Sequence, residues 1–195
     1  MKIYTQLSSY YIPKFASDLL VSLREKDVFT YIHSLRSRKF ALVLGVSMGL
    51  TEHELKELSI ASLLHDIGKL KIDVFILFKK GKLTKDEWRV MKAHPLFGVE
   101  VMLRYQELTV YIPFIMYHHE RWDGNGYYGL KEREIPLFAR IITIADAFSA
   151  MTEARPYKQA LSYDTAISEI KNNAGTQFDP ELADIFVKKI RDYLP

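Results

Sequence analysis

The residues of this chain whose types and spacing could do chemistry are its histidines and a few of its aspartates. Five of the six histidines and two aspartates form a pattern around one His-Asp pair. In chain order these candidates are His33, His65, Asp66, His94, His118, His119 and Asp146. Imidazole and carboxylate ligands suit iron, manganese, zinc or cobalt, and the lack of cysteine excludes thiolate ligands. The pattern therefore predicts a metal site assembled from several helices.

Each candidate also has a plainer interpretation, since a single inward histidine is more often a hydrogen-bonded core residue than a ligand. A lone His-Asp pair could likewise only tie two helices together. Asp146, however, follows a largely apolar run, and an unpaired carboxylate is very costly to bury. The full set is too large for one ordinary site. With one bridging carboxylate it fits two metals about 3.5–4 Å apart, an arrangement that hydrolyses phosphate esters.

The elements that position these residues are predicted to be helices. Four helix starts are marked in the sequence: the capping boxes Thr51–Glu54 and Thr84–Glu87, and the first-turn prolines Pro136 and Pro180. No pair of alternating runs is joined by a hairpin turn. We predict an all-α fold of about seven to nine helices, with irregular segments near residues 69–83 and 121–135.

Helical periodicity places the candidate ligands inward. His65 and Asp66 are expected to share the helix of the first capping box, on its buried face. His94 is expected to continue the inward face of Trp88 on the helix of the second box, with Pro95 bending that helix. His53, the sixth histidine, lies in the exposed first turn of the His-Asp helix and is interpreted as a surface residue.

Composition predicts a folded protein with one sizeable core. The chain has 195 residues, 48% of them hydrophobic and 13% aromatic, and a domain of this size buries roughly 70% of its unfolded surface. No linker, repeat or composition break divides it. We assign residues 1–24 to an N-terminal helical extension that packs on the core or on a partner, and residues 25–195 to the main domain.

Charge and hydropathy exclude several classes of function. A net charge of +3 without a long basic stripe gives no indication of binding to a nucleic acid polymer. The lysines of residues 79–82 are interpreted as a solvated loop. No apolar run approaches the ~20 residues needed to span a bilayer, and the N-terminus does not resemble a signal peptide. We expect a cytoplasmic protein without membrane insertion.

Six motifs together resemble the HD-GYP domain, a subgroup of the HD phosphohydrolases. They are His-Asp-Ile-Gly-Lys at 65–69, Met-Lys-Ala-His-Pro at 91–95, the His-His-Glu string at 118–127, and the segments 144–148, 155–158 and 175–180. The resemblance covers roughly residues 25–193, with the motifs in the family's order and spacing. A lone His-Asp pair would be weak support, whereas this string is highly specific.

The resemblance implies an HD-domain helical bundle and a metal-dependent phosphodiesterase. Its substrate would be cyclic di-GMP, a bacterial second messenger, and its products the linear dinucleotide pGpG, GMP or both. One divalent metal would be held by His33, His65, Asp66 and Asp146. A second, bridged to the first by Asp66, would be held by His94, His118 and His119. Iron or manganese is the expected metal, with zinc, cobalt and nickel as alternatives.

The resemblance also assigns roles beyond the ligands. Lys69, together with Asp66, would be catalytic, because its ammonium would contact the scissile phosphate. Tyr127 would shape the substrate pocket. Arg155 and Lys158 would grip phosphate or the edges of guanine.

Two departures from the family pattern bear on function. The loop that the family writes Gly-Tyr-Pro-x-Gly-Leu is Gly-Tyr-Tyr-Gly-Leu at residues 126–130, one residue shorter and without the proline that would stiffen it. Phe29 stands four residues before His33, where some members place a glutamate that holds a third metal. Asp27 and Glu25 are poorly spaced substitutes, so two metals are predicted.

Two alternatives stay open at this stage. The same chemistry could act on another cyclic dinucleotide, which the shortened loop permits. The chain could instead be a catalytically weak or inactive HD-GYP-like module that senses nucleotide or docks a signalling partner. Regulation would come from such a partner or from homo-oligomerisation through the N-terminal helix.

Overall fold

The structure, a computed structural model that describes residues 12–154 and 159–194, consists of helices and connecting loops. In chain order the α-helices are α1 (Lys14–Lys26), α2 (Val28–Ser47), α3 (Glu52–Leu64), α4 (Val74–Leu77), α5 (Lys85–Lys92), α6 (His94–Met102), α7 (Ile112–Met116), α8 (Leu137–Thr152), α9 (Tyr163–Asn172) and α10 (Pro180–Lys189). Short 3-10 turns lie at Ile67–Lys71, Gln106–Tyr111, Glu132–Glu134 and Ile190–Tyr193.

The predicted all-α class is confirmed. Eight of the helices in the described ranges have eight residues or more, α4 and α7 are single turns, and these ranges contain no β-strand. The long helix α2 lies at the centre and packs against α1, α3, α8 and α10. Phe148 on α8 joins these layers, since its ring meets Phe40 edge-on at 4.9 Å and Phe186 at 5.1 Å between centroids.

The helix starts follow the local sequence signals. Both predicted capping boxes are present, at Thr51 with Glu54 and at Thr84 with Glu87. In each box the threonine side chain accepts from the third helical N–H while the glutamate accepts from the threonine backbone. Asp27 likewise caps α2 by accepting from two backbone N–H groups and from a threonine hydroxyl. That carboxylate is committed to the cap and is no substitute metal ligand.

The expected helical placement of the His-Asp pair is wrong. Helix α3 ends at Leu64, His65 is its C-terminal cap, and Asp66 leaves helical geometry with φ −99° and ψ 9°. Both side chains are nevertheless buried. Ser62 and Leu58 behind them are buried as expected.

The placement of His94 on the helix of Trp88 is also wrong. Helix α5 ends at Lys92 and a new helix, α6, begins at His94 with Pro95 in its first turn. Proline favours the first turn because it has no N–H to donate to a preceding residue. His94 is buried, but Trp88 is 49% exposed and does not face the core.

Helix α1 packs its apolar face on the domain. Leu19, Leu20 and Leu23 are buried, while Val21 on the opposite face is exposed. At the end of the helix Lys26 donates from Nζ to the carbonyls of residues 70 and 72, which ties α1 to the turn after the His-Asp pair. No helix in the described ranges combines the length and apolar character that a membrane span needs.

Candidate metal centre

Two glycines bring the His-Asp turn against α6. A Cβ built on Gly68 would lie 1.8 Å from the carbonyl oxygen of His94 and 2.4 Å from the amide nitrogen of Gly98. Only a glycine at position 68 allows this approach of two backbones. The close approach explains why glycine follows the His-Asp pair, and it sets Asp66 beside His94.

The first group of candidate ligands consists of His33 from α2, His65 from the end of α3, and Asp66. Their ligand atoms all lie within 4.8 Å of one another, and all three side chains are buried. Asp146 from α8 joins them, since its Oδ1 lies 2.7 Å from His33 Nε2 and 3.8 Å from His65 Nε2. Three segments that are distant in sequence, around residues 33, 65–66 and 146, thus converge on one point.

The second group consists of His94 at the start of α6 and the adjacent pair His118 and His119. The Nε2 atoms of His94 and His118 are 3.3 Å apart. The backbone of His118 is fixed by Thr143 on α8, whose hydroxyl donates to the His118 carbonyl at 2.7 Å.

Asp66 lies between the two groups. Its Oδ1 is 3.2 Å from His94 Nε2 in the second group, and its Oδ2 is 3.5 Å from His65 Nε2 in the first. Lys69 donates to the same Oδ2 at 2.7 Å. This carboxylate therefore lies close to ligand atoms of both groups.

Three of the rings are oriented by one repeated contact. His65, His94 and His118 each place Nδ1 within 2.9 Å of the backbone carbonyl three residues earlier. A carbonyl only accepts, so each Nδ1 carries the proton and each Nε2 presents a lone pair to the centre. Such a contact fixes the tautomer and ring orientation of metal-binding histidines.

The donors present fit a metal ion. The Nε2 of His65 is buried and has no hydrogen-bond partner in the structure, which is costly for a polar atom. Two unprotonated nitrogens also face one another at the His94–His118 contact, where their lone pairs repel. A divalent cation in each ligand group would satisfy these nitrogens.

Burial keeps the second group neutral. It lowers the pKa of His94 to about 3, places that of His118 well below its usual value, and lowers that of His119. Neutral imidazole is the form that binds metal. These rings are therefore ready to act as ligands without losing a proton.

The first group is surrounded by negative charge. Burial opposes a charge on His33, but hydrogen bonds to Asp146 and Glu153 outweigh it and raise the pKa of His33 to about 9. Burial also disfavours the ionised forms of Asp66 and Asp146. Neighbouring cationic and hydrogen-bonding groups, Lys69 for Asp66 and His33 for Asp146, nevertheless hold both carboxyl pKa values well below the usual range. The potential that favours a proton on His33 would favour a metal ion as well.

Two acids that sequence reasoning did not single out support the centre. Glu153 is buried, and its Oε2 lies 3.6 Å from His33 Nδ1, where Ser149 Oγ also lies at 3.2 Å. Glu120 is 2% exposed and accepts from the backbone N–H groups of Tyr128 at 2.6 Å and Gly129 at 3.0 Å. The only sequence signal for Glu120 is its place directly after the histidine pair.

Glu120 holds the loop at residues 126–130, which is one residue shorter than the family pattern. A Cβ on Gly126 would lie 2.6 Å from Glu120 Cα, so only glycine fits there. The Glu120 carboxylate thus fixes the loop backbone, although the loop lacks the proline of the family pattern. Tyr127 projects from it, with its ring centroid 4.8 Å from that of His119.

The other predicted site residues are placed as follows. Lys69 reaches the centre through Asp66. Arg155 and Lys158 lie outside the described residues. Phe29 is 42% exposed, one turn before His33 on α2, and His53 is exposed as expected.

Comparison with known proteins identifies a family and several relatives. A sequence profile described as "HD domain" matches residues 19–182. A cyclic di-GMP phosphodiesterase from Thermotoga maritima is 39% identical over 166 residues, which are 84% of this chain and 45% of that protein. A protein named 3'3'-cGAMP-specific phosphodiesterase 3 from Vibrio cholerae is 35% identical over 171 residues, which are 87% of this chain and 37% of that protein.

A solved structure shows the same fold. The cyclic GMP-AMP-specific phosphodiesterase V-cGAP3 from V. cholerae superposes with a TM-score of 0.70 at 20% identity, over 91% of this chain and 48% of that one. This chain belongs to the HD-domain family. The six motifs that resemble the HD-GYP domain all lie within the residues that the profile matches. It spans less than half the length of these two curated relatives.

Proposed function

We propose that this chain is a metal-dependent phosphodiesterase that hydrolyses cyclic di-GMP to pGpG, to GMP, or to both. The observation that carries the proposal is the pair of ligand groups, one His-His-Asp and one His-His-His with five of the six side chains buried, that meet at Asp66. The kinship to a T. maritima cyclic di-GMP phosphodiesterase supports the substrate.

Two divalent metals are part of the proposal. The first would be held by His33, His65, Asp66 and Asp146. The second would be held by Asp66, His94, His118 and His119. Iron or manganese is expected from the resemblance, with zinc, cobalt and nickel as alternatives that suit the same nitrogen and oxygen ligands. Phe29 offers no donor, and Asp27 is committed to capping α2, so no third metal is proposed.

When bound, two such metals lower the pKa of water toward neutrality and neutralise charge on a phosphoryl group. The protein supplies the remainder. Asp66 and Asp146 bring the negative charge that holds the cations, and the histidines are oriented in advance by their Nδ1 contacts. Groups that are fixed before the reaction need no reorganisation when charge develops.

Lys69 is proposed as the catalytic cation. Its ammonium lies 2.7 Å from Asp66 Oδ2 and is partly exposed, so it can reach a phosphate above the centre while paired with the carboxylate. There it would neutralise charge on the non-bridging oxygens of the scissile phosphate. Tyr127 would border the substrate beside His119, and Arg155 and Lys158 would bind phosphate or guanine edges.

Two alternatives remain distinct from this proposal. A 35%-identical relative is named for 3'3'-cGAMP, which favours another cyclic dinucleotide as the second candidate substrate. The shortened loop favours a catalytically weak or inactive HD-GYP-like module that senses nucleotide or docks a partner. The seven clustered polar ligands, five of them buried, argue against the second alternative, because a docking protein has no need of a costly empty centre.

The biological setting is proposed with the activity. We propose a cytoplasmic location, as expected from the sequence. The chain would consist of an N-terminal extension, residues 1–24, and a phosphodiesterase domain, residues 25–195. A signalling partner or a second copy would act through the helix of that extension. A monomeric mass in solution would count against the second copy.

The activity is tested by anaerobic turnover of cyclic di-GMP with protein reconstituted with Fe(II) or Mn(II), the products being separated by chromatography. We expect pGpG or GMP from the parent and none from Asp66→Ala. Parallel reactions with 3'3'-cGAMP rank the two substrates. Metal-loaded parent that turns over neither nucleotide would contradict the enzyme and leave the binding module.

A further inference from the structure

An aromatic and cationic ladder leads from the second ligand group to the protein surface. The ring of Tyr127 lies 4.8 Å from the ring of His119, with 33° between their planes. Lys92 Nζ lies over the same tyrosine ring, 5.0 Å from its centroid, and 5.9 Å from the centroid of Trp88. Because Trp88 and Lys92 are four residues apart on α5, their side chains are neighbours on one face.

The outer members of this ladder are not core residues. Helix α5 buries no side chain, and Trp88 is 49% exposed. The indole therefore offers a free face to a ligand, and Tyr127 remains half-buried at the inner end. Stacking on an exposed aromatic face is how proteins bind bases without reading their edges.

The cation of the ladder is also available. Lys69, Lys71 and Lys79 are each paired with a carboxylate, on Asp66, Glu100 and Glu87 respectively. Within the described ranges no carboxylate forms an ion pair with Lys92, whose contacts are the two aromatic rings. An ammonium on an exposed stem beside a metal centre is suited to an anion such as phosphate.

We propose that Trp88, Lys92 and Tyr127 form a subsite for the half of the dinucleotide that is remote from the scissile bond. The inference rests on the proposed function. A cyclic dinucleotide carries two phosphates and two bases, so when one phosphate occupies the metal centre the other must be held elsewhere. Lys92 would take the second phosphate, and a purine would stack on Trp88.

The chemistry of this subsite defines what it selects. Stacking and charge distinguish a dinucleotide from a small phosphodiester, but they do not separate guanine from adenine. The subsite therefore serves cyclic di-GMP and 3'3'-cGAMP alike. Discrimination between these two would have to come from other contacts.

The test compares two substrates in the same metal-loaded protein. Cyclic di-GMP can span the centre and the subsite, whereas bis(4-nitrophenyl) phosphate is too short to reach past Tyr127 to Trp88. We expect Trp88→Ala and Lys92→Ala each to lower the ratio of kcat/KM for cyclic di-GMP to kcat/KM for the small diester by about tenfold. For Trp88 this value lies toward the lower end of the range for loss of one stacked base. The loss should appear mainly in KM.

Matched controls separate the subsite from general effects of the substitutions. Phe75→Ala removes an aromatic ring that is 84% exposed on α4, and Lys56→Ala removes a surface lysine paired with Glu52 on α3. Both should keep the parental ratio. Trp88→Phe, which retains a stacking face, should recover most of the ratio lost in Trp88→Ala.

The outcomes separate this inference from the proposed function. A parental ratio in both Trp88→Ala and Lys92→Ala, with the parent hydrolysing both substrates, would overturn the subsite and leave the phosphodiesterase intact. Hydrolysis of the small diester alone by the parent would overturn the dinucleotide substrate and the subsite together. Hydrolysis of neither by metal-loaded protein would overturn the enzyme itself.

Discussion

His94 and His118 face one another through their Nε2 atoms at 3.3 Å, and the Nδ1–H of each donates to the backbone carbonyl three residues earlier. No proton is available between the two nitrogens, because burial holds the pKa of both rings below the usual range. Two buried lone pairs thus point at each other. This arrangement is unfavourable by itself and becomes favourable when a cation binds both.

Metal should consequently stabilise the fold. A ligand present at 100 times its dissociation constant adds about 2.7 kcal/mol to the free energy of unfolding. For a domain of this size that corresponds to a rise in Tm of roughly 5–10 °C. Differential scanning fluorimetry with Mn(II), against chelator-treated protein, measures it.

The control for this stabilisation is His53→Ala, which removes an exposed histidine and should keep the full shift. His118→Ala should reduce it. Equal shifts in the parent and in His118→Ala would mean that the metal binds elsewhere.

Glu153→Gln should weaken metal binding without emptying the centre. The neutral amide can still accept from His33 Nδ1, but it no longer supplies the charge that lies 3.6 Å from that ring. Loss of such an outer partner typically costs 10–100-fold in metal affinity. Competition with a chromogenic chelator gives the dissociation constant.

Glu169→Gln, an exposed change on α9, is the matched control for Glu153 and should bind metal as the parent does. A metal affinity in Glu153→Gln equal to that of the parent would show that Glu153 does not support metal binding by His33.

Glu120→Ala should loosen the loop that carries Tyr127. The change removes the acceptor of two backbone N–H groups, and a donor left without a partner costs about 1–3 kcal/mol where water does not reach it. The loop is expected to open to water instead. Hydrogen exchange at Tyr128 and Gly129 should become faster by about tenfold or more.

Glu107→Ala, which removes an exposed glutamate, is the control and should exchange like the parent at these two amides. Unchanged exchange in Glu120→Ala would show that the shortened loop is held by other contacts.

Much of the fold could be predicted from the sequence because its signals are local. The capping boxes at Thr51 and Thr84 act on the N–H groups of the next residues, and both are present. The inward direction of His94 was also predicted correctly. The element that carries it was not, since Pro95 starts a new helix rather than bending the old one.

The remaining errors and omissions arise from contacts between distant segments. The spacing of Trp88 predicts an inward side chain, but α5 buries no side chain and Trp88 is exposed. Glu120 resembles an ordinary loop carboxylate until the chain returns eight and nine residues later with two N–H groups. Glu153 meets His33 across more than a hundred residues of sequence, which no periodicity reveals.

The central claim is a centre of two metals that share Asp66. Its most direct test is the metal content of the chain. Protein reconstituted anaerobically with Mn(II) or Fe(II), then desalted, would be measured by mass spectrometry of the native protein and by elemental analysis. We expect two metals per chain in the parent, about one in His33→Ala, and almost none in Asp66→Ala, because both ions lose the same ligand. One metal per chain in the parent, or two retained in Asp66→Ala, would contradict the account.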